Sequence, residues 1–471
     1  MERKWWTLVA VAIGTFMLLL DITIVNVALP DIQKALNASL ADLQWVIDAY
    51  ALTLAAFQLT AGSLADRFGR RRVYGIGIVV FTLGSLLCGV ANSPTFLSLA
   101  RAFQGVGGAI MFPTGLALIS SAFQGRERGT AFGVFGAVTG IAVAVGPVVG
   151  GALVSALSWR WIFFVNLPVG VFALVITLRQ IAESRNPHAR HVDFPGLVTF
   201  SLGLGALVYG LIRSNEDGWG ATNVVGSLVA AVVLLAAFVV VEMRGREPMF
   251  DLSLLRKPTF VGGLIAAFTI SASLFAAFPY LVLYLQLGLG FSAIEIGVRF
   301  LVLSGPIFIT AAIAGRLADT VPTRFLIGPG FLFIGVSLFL MRGIEPGMDW
   351  THLIPGFILA GIGAGLVNVP LAQTAVGVVE PARAGMASGI NATFRQVGIA
   401  TGVAALGAIF SHHASEAARG PQALAGLVDG LNAILLVGGV MALIAAGLTL
   451  VLIRPKDFVE MGVPEPEAVA A

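Results

Sequence analysis

Long apolar runs separated by short polar loops are the dominant pattern of this 471-residue chain. A helix needs about 20 apolar residues to cross roughly 30 Å of hydrocarbon. The first run passes a lone Asp21 and continues to Pro30 without a cleavage site, which predicts a retained helix rather than a signal peptide. We expect fourteen spans, near residues 7–29, 43–64, 73–91, 95–121, 129–155, 161–180, 194–212, 220–241, 259–287, 293–314, 325–342, 351–376, 385–410 and 430–453.

An internal repeat divides these spans into two groups. The charged segment 62–72 returns in weaker form at 315–319, 253 positions later, and Gly129 and Gly133 precede Gly385 and Gly389 by 256 positions. The pattern predicts an all-α membrane protein of two six-helix bundles with two inserted helices, the seventh and eighth spans. Paired six-helix halves are typical of transporters that rock around a midplane site. The expected domains are 1–180, 181–258 and 259–455, followed by a tail at 456–471.

Composition and charge agree with a membrane protein. Hydrophobic residues make up 57% of the chain and charged residues 11%, whereas soluble domains carry about 25% charged residues. Most lysines and arginines fall in loops of one parity, which predicts that both termini are cytoplasmic, in a cell membrane. The net charge of +3 suggests no nucleic-acid partner, and the single Cys88 excludes an intramolecular disulfide and a cysteine-based metal site. We expect no metal.

Three ionisable residues inside the spans are candidates for proton coupling. Asp21 interrupts the first span, and a charged group inside a membrane is costly enough to suggest a transport role. At 1.5 Å per residue, Asp48 and Arg101 lie roughly 8 Å and Asp21 roughly 12 Å below the outer boundary, so all three could share one polar level. Two alternatives stay open: a structural Asp21 bonded to nearby polar groups, and a static salt bridge at Arg101.

Two further segments are candidates for controlling conformation. In the loop after the second span, Asp66, Arg67, Gly69 and Arg70 form a charged hinge, and Asp66 could dock on free amides near Gly385. Positive-inside topology alone also explains the arginines there. The fifth span carries Gly146, Pro147, Gly150 and Gly151, a small-residue face that permits close backbone contact. Ordinary helix packing would explain these glycines equally well.

Six segments in order resemble the major facilitator superfamily, and within it the fourteen-helix drug:proton antiporter branch. They are the hinge loop and the segments 20–30, 101–105, 146–151, 159–168 and 391–396. The resemblance implies a proton-driven transporter without a cofactor, with a coupling role for Arg101 and an antiporter role for the glycine and proline residues of the fifth span. Ala142 departs from the glycine often found there.

The expected function is proton-coupled multidrug efflux of amphipathic, preferentially cationic compounds by a monomer. No Gly-Lys dipeptide occurs, so a Walker loop is absent and an ion gradient must supply the energy. Candidates for the substrate cavity are Phe16, Asn26, Phe57, Phe112, Arg395 and Gln396. Alternatives are export of a specific lipid or secreted metabolite, a membrane-embedded enzyme, and a receptor; the enzyme lacks a recognisable nucleophile or metal motif, and the receptor lacks a recognition domain.

Overall fold

The computed structural model describes residues 2–123, 125–184, 193–245, 248–318, 320–379, 384–416 and 422–458. Within these ranges the regular structure is helical and contains no β-strand. The α-helices in chain order are α1 (Arg3–Leu36), α2 (Leu40–Phe68), α3 (Arg70–Gly89), α4 (Pro94–Ala122), α5 (Gly125–Ala156), α6 (Trp161–Phe164), α7 (Asn166–Gln180), α8 (Phe194–Asp217), α9 (Thr222–Arg244), α10 (Pro258–Ser273), α11 (Phe278–Leu283), α12 (Ala293–Leu317), α13 (Arg324–Leu340), α14 (Ile354–Gly377), α15 (Ala384–Glu416) and α16 (Gln422–Leu452). Short 3-10 turns lie at Leu252–Arg256, Phe275–Ala277, Trp350–Leu353 and Pro455–Asp457, and a π-helical turn lies at Tyr284–Gly288.

Twelve helical segments of the described chain are long and apolar enough to cross a membrane. Two of them combine shorter helices: α6 with α7, and α10 with α11 and the π turn. Two shorter apolar helices, Val145–Ala156 and Arg324–Leu340, lie at the fifth and eleventh predicted spans. The all-α membrane architecture is therefore confirmed, whereas the count of fourteen spans stays a prediction.

Local sequence signals mark where several helices begin and end. The Ser39 hydroxyl accepts a hydrogen bond from the Asp42 amide at 3.1 Å and the Asp42 carboxylate accepts one from the Ser39 amide at 2.9 Å, a capping box that starts α2. Gly69 ends α2 with a φ of 106°, a backbone conformation that glycine adopts without a side-chain clash. These signals set the entry and exit of α2, which carries Asp48.

Helix packing forms two groups with the inserted helices beside them. In the first, α2 and α3 pack on α4, and α1 packs on α5 and α7. In the second, α14 packs on α12 and α13, α10 packs on α15, and α16 packs on α13. The inserted α8 contacts α9, α2 and α15, so it touches both groups. The exact domain boundaries stay predictions, and residues 459–471 of the expected tail lie outside the described chain.

The two groups of helices meet closely at one end, where α1 and α5 end and α2 and α12 begin. We call it the outer end, because the predicted cytoplasmic termini lie at the other. A Cβ on Gly151 would meet the Ala293 carbonyl oxygen, and one on Gly297 would meet the carbonyl oxygen of Pro147. Gln44 donates a hydrogen bond to the Tyr280 hydroxyl at 3.0 Å. Backbone contacts this close require glycine, because a helix cannot yield as a flexible side chain can.

We predict that Gly297→Leu forces the outer end open. The added side chain would overlap the α5 backbone, and overpacking of this kind costs about 1–3 kcal/mol, which favours the outward-open state by roughly tenfold. An Ala51→Cys reporter, placed on α2 where it faces the other half, should then react about tenfold faster with an impermeant maleimide added from outside. Cys88 is the only native cysteine and is buried, so the reporter needs no cysteine-free background.

The matched control is Gly226→Leu on α9, because nothing lies within 4 Å of a Cβ added at Gly226. If both leucine variants label at the wild-type rate, the glycine contacts do not hold the outer end closed.

Candidate functional site

A buried ion pair joins α1 to α4. Arg101 donates from Nη1 to Asp21 Oδ2 at 2.5 Å, and the two residues are 2% and 1% exposed. Arg101 also donates from Nε to the Val46 carbonyl oxygen of α2 at 3.3 Å, and its guanidinium lies 4.1 Å from the centre of the Tyr50 ring. The arginine therefore contacts three helices at once. Breaking such a buried pair by removing one partner typically costs about 3–5 kcal/mol.

Amide side chains complete the coordination of the Asp21 carboxylate. Gln104 donates from Nε2 to Asp21 Oδ1 at 2.8 Å, and Asn166 donates from Nδ2 to the same oxygen at 3.1 Å. Gln104 also accepts from Arg101 Nη1 at 2.6 Å, and both amides contact Ser85 Oγ of α3, at 2.7 Å and 3.2 Å. We call Asp21, Arg101, Gln104, Asn166 and Ser85 the carboxylate cluster.

Sequence reasoning placed Gln104 and Asn166 in recognised segments but assigned them no role, and it did not identify Ser85. Asn166 begins α7 directly after the break at Val165, which turns its side chain toward α1. A polar residue in an apolar span, such as Ser85, was the one signal available. Such residues are common, so the signal does not identify a site by itself.

Asp48 lies apart from this cluster, on a different face of α2 from the residues that contact Arg101. Val46 and Tyr50 of α2 contact Arg101, and Asp48 lies about 200° around the helix from each of them at 100° per residue. Asp48 is fully buried, and neither carboxylate oxygen has a hydrogen-bond partner among the described residues. Gln44, one turn earlier on the same face, bonds Tyr280 of the second half. Asp48 therefore lies at the interface between the halves.

A small cavity between the halves brings together three of the predicted residues, Asn26, Arg101 and Gln396. Its volume is about 20 Å³, which is enough for about one water molecule. The remaining lining consists of Ile22, Val25, Ile47, Tyr50, Ala51 and Ile399. In this state the halves leave no room for a drug-sized ligand at this position.

The three predicted aromatic residues lie elsewhere. Phe16 lines a lateral apolar pocket of about 540 Å³ between α1, α5 and α7, together with Ile13, Val138, Val169 and Phe172. Phe112 pairs with Phe135 inside the first half, with ring centres 6.2 Å apart. Phe57 packs against both the first-half core and the cluster around Phe394. Phe57 alone of the three lies where the halves meet, because its position on α2 faces α15.

The hinge loop is anchored to the end of α7 through Glu183, a residue that sequence reasoning missed. The Arg71 amide donates to Glu183 Oε1 at 3.0 Å, and a Cβ on Gly69 would meet the Glu183 carboxylate at 2.7 Å. Arg70 donates its amide to the Ser184 carbonyl oxygen at 3.0 Å, and Arg67 is exposed. The Asp66 and Gly385 side-chain positions lie outside the described residues, so the docking expected between them stays a prediction.

The predicted small-residue face of α5 contacts two helices. Added Cβ atoms on Gly146 and Gly150 would meet Thr23 and Ile24 of α1. Gly151 and Pro147 instead approach α12, as described for the outer end. The face therefore packs α5 both within its own half and across the interface, and its gating role stays a prediction.

Arg395 is half-buried on α15 beside the cavity-lining Gln396. It has no hydrogen bond or ion pair with any described residue, whereas Arg101 forms an ion pair with Asp21. Within the described ranges no group of three histidine, cysteine, aspartate or glutamate side chains could hold a metal ion.

Comparisons with known proteins agree with this architecture. The chain is 38% identical to the multidrug resistance protein Stp of Mycobacterium tuberculosis (strain ATCC 25618 / H37Rv), covering 86% of this chain and 75% of that protein. It is 39% identical to the puromycin resistance protein pur8 of Streptomyces alboniger, covering 86% and 82%. A bacterial homologue of the human lysosomal transporter Spinster, solved in an inward-facing and occupied conformation, shares the fold with a TM-score of 0.65 at 17% identity, covering 97% of this chain and 98% of that chain.

The model of one family matches most of the chain. It spans residues 11–403 and describes the Major Facilitator Superfamily. This match includes the carboxylate cluster, the glycine face of α5 and Arg395. With its two packed helix groups and these relatives, the chain belongs to the Major Facilitator Superfamily.

Proposed function

We propose that this protein is a proton-coupled exporter of amphipathic compounds that works by alternating access. It acts as a monomer in the cell membrane with both termini cytoplasmic, and it uses the proton gradient in place of a cofactor. The names of the relatives, a multidrug resistance protein and a puromycin resistance protein, support drug efflux. A transporter is also favoured over an enzyme, because the chain belongs to a family of transporters and its sequence contains no recognised catalytic motif.

The observation that carries this proposal is the different surroundings of two buried carboxylates. Asp21 is balanced by Arg101 and two amide donors, so it can hold a negative charge. Asp48 is fully buried without a donor among the described residues, and such a site favours the neutral acid because an uncompensated buried charge is costly. A carboxyl group that must hold a proton while the outer end is closed is suited to carry that proton inward.

The proposed cycle follows from which end is open. With the outer end open, water reaches Asp48, a proton binds and substrate leaves. Closure buries the neutral acid, and opening toward the cytoplasm releases the proton and admits new substrate. One proton moving down 100 mV supplies about 2.3 kcal/mol, enough for roughly fortyfold accumulation at 1.4 kcal/mol per decade. Water reaching the carboxylate cluster would also weaken the Asp21–Arg101 attraction, which couples Asp21 to the same movement.

The breadth of substrates is a second question. The name of Stp refers to many drugs and the name of pur8 to one antibiotic, so a dedicated metabolite exporter is the second candidate. A dye and antibiotic screen in reconstituted liposomes separates the two, because a dedicated exporter moves one chemical series only.

We predict that Asp48→Asn separates coupling from substrate movement. Asparagine mimics the neutral acid, so the fold and the exchange of substrate across the membrane should persist, while net transport driven by a pH gradient falls at least tenfold. The measurement compares gradient-driven ethidium uptake with ethidium counterflow in inverted proteoliposomes. The control is Asp217→Asn, the same change at an exposed position at the end of α8.

Two results would contradict the proposal. Wild-type protein that moves no tested compound under an imposed pH gradient would exclude proton-driven export. Gradient-driven uptake at the wild-type rate in Asp48→Asn would remove Asp48 from the coupling.

We also predict that removing both charges of the buried pair is less harmful than removing one. Asp21→Asn or Arg101→Gln alone leaves an uncompensated charge or orphaned donors, at a cost of about 3–5 kcal/mol. The double variant should recover at least half of the lost stability while remaining inactive in gradient-driven transport. Thermal unfolding of wild type, the two single variants and the double variant in detergent gives the interaction energy between the two side chains. Strictly additive losses of stability would show that the two residues do not interact energetically.

A further inference from the structure

Arg395 lies deep in the membrane-spanning region without a counterion. It follows the start of α15 by eleven residues, or roughly 16 Å at 1.5 Å per residue, in a helix of 33 residues. The nearest acidic residue of α15 itself is Glu416, at the opposite end of the helix. No described residue forms an ion pair or hydrogen bond with the guanidinium. An arginine at this depth is costly unless it faces water, a partner or a ligand.

The packing of α15 shows which way this residue faces. Gly398 and Gly402 lie against the α10 backbone, where added Cβ atoms would meet Phe268 and Ala272. Ile399, one turn after Arg395 on the same face, lines the cavity between the halves. Arg395 is thus one turn toward the cytoplasm from that cavity, between the side that packs on α10 and the open side.

The acidic groups near the interface cannot neutralise Arg395 in this state. Asp21 is already paired with Arg101. Gln44 lies beside Gly407, so Asp48 is displaced from Arg395 by roughly 12 Å along the antiparallel helices at 1.5 Å per residue. These two carboxylates are therefore enclosed, whereas Arg395, which is unpaired among the described residues, places a positive charge beside the cavity.

We propose that Arg395 binds an anionic group of the substrate, a carboxylate or a similar oxyanion, when the halves separate. The inference rests on the proposed export function and replaces its expected preference for cations with a preference for amphiphiles that carry an acidic group. A guanidinium offers paired donors to a carboxylate in a fixed planar geometry. The neighbouring Asn26 and Gln396 amides supply further donors and acceptors for the polar end of such a compound.

Rhodamine B and its ethyl ester form a matched pair of probes. They share one fluorophore, and esterification removes the free carboxylate. In proteoliposomes with an imposed pH gradient, we expect wild-type protein to transport rhodamine B with a KM at least tenfold below that of the ester. Arg395→Gln should raise the KM for rhodamine B by about tenfold to a hundredfold, the range for a lost charged hydrogen bond, and change the KM for the ester by less than about twofold.

Two further variants serve as controls for this result. Arg395→Lys keeps the charge without the planar fork, so its KM for rhodamine B should lie between those of wild type and Arg395→Gln. Arg179→Gln, at the exposed end of α7, makes the same chemical change away from the cavity and should leave both KM values unchanged. Ester transport by Arg395→Gln reports that the variant is folded.

A measurement of ligand binding by thermal shift complements the transport assay. In detergent, rhodamine B should raise the melting temperature of wild-type protein, and the ester should not. Arg395→Gln without ligand should melt at or above the wild-type temperature, because an unpaired buried charge has been removed. The KM difference should persist in liposomes with and without phosphatidylglycerol; its loss with that lipid would assign the arginine to a lipid phosphate and overturn the proposal.

Failure of this inference is distinguishable from failure of the export function. If wild-type protein transports the ester as well as the acid, or if Arg395→Gln affects both dyes equally, the anion site is wrong while proton-driven export stands. If wild-type protein moves neither dye nor ethidium under the gradient, the export function fails and this inference fails with it.

Discussion

The desolvation of charge inside a membrane protein is the constraint on which the rest of this structure depends. Asp21 and Arg101 are almost completely removed from solvent, and each is tolerable only because the other is 2.5 Å away. Gln104, Asn166 and the Val46 carbonyl oxygen supply further hydrogen bonds to the pair. The arrangement draws α1, α2, α4 and α7 toward one point, so the first half has a polar centre inside an apolar bundle.

The interface between the halves is held by close backbone packing rather than by a buried ion pair. At the outer end it consists of close contacts between backbones, made possible by Gly151 and Gly297, together with the Gln44–Tyr280 hydrogen bond. These contacts are mostly apolar, so separating them leaves few polar groups without partners. An interface of this kind can open and close, whereas the carboxylate cluster, which lies within one half, can move as a rigid body. Asp48 lies between these two regions, fully buried near the Gln44–Tyr280 contact.

The inserted helices take part in this interface rather than standing apart from it. Val208 and Ile212 of α8 pack with Ala51 of α2 and with Ala400 and Ala404 of α15. The same α8 thus touches the helix that carries Asp48 and the helix that carries Arg395. Small side chains on α2 and α15 let α8 approach both helices closely.

The sequence by itself determined the class of this protein: apolar length, sparse charge and the repeated hinge predicted an all-α membrane transporter of two related halves, and the segments around Asp21, Arg101 and Gly146 identified its family. These properties follow from the hydrophobic pattern, which is local. Only the tertiary structure decided which charges meet. Asp48 and Arg101 were predicted at one depth, yet the helical phase of α2 turns them to different faces. Depth along a helix does not specify its rotation, so only the structure could show that Phe16 and Phe112 do not line the small cavity between the halves. Partners such as Ser85 and Glu183 come from distant helices, and side-chain pairing of that kind depends on how the helices are rotated against one another.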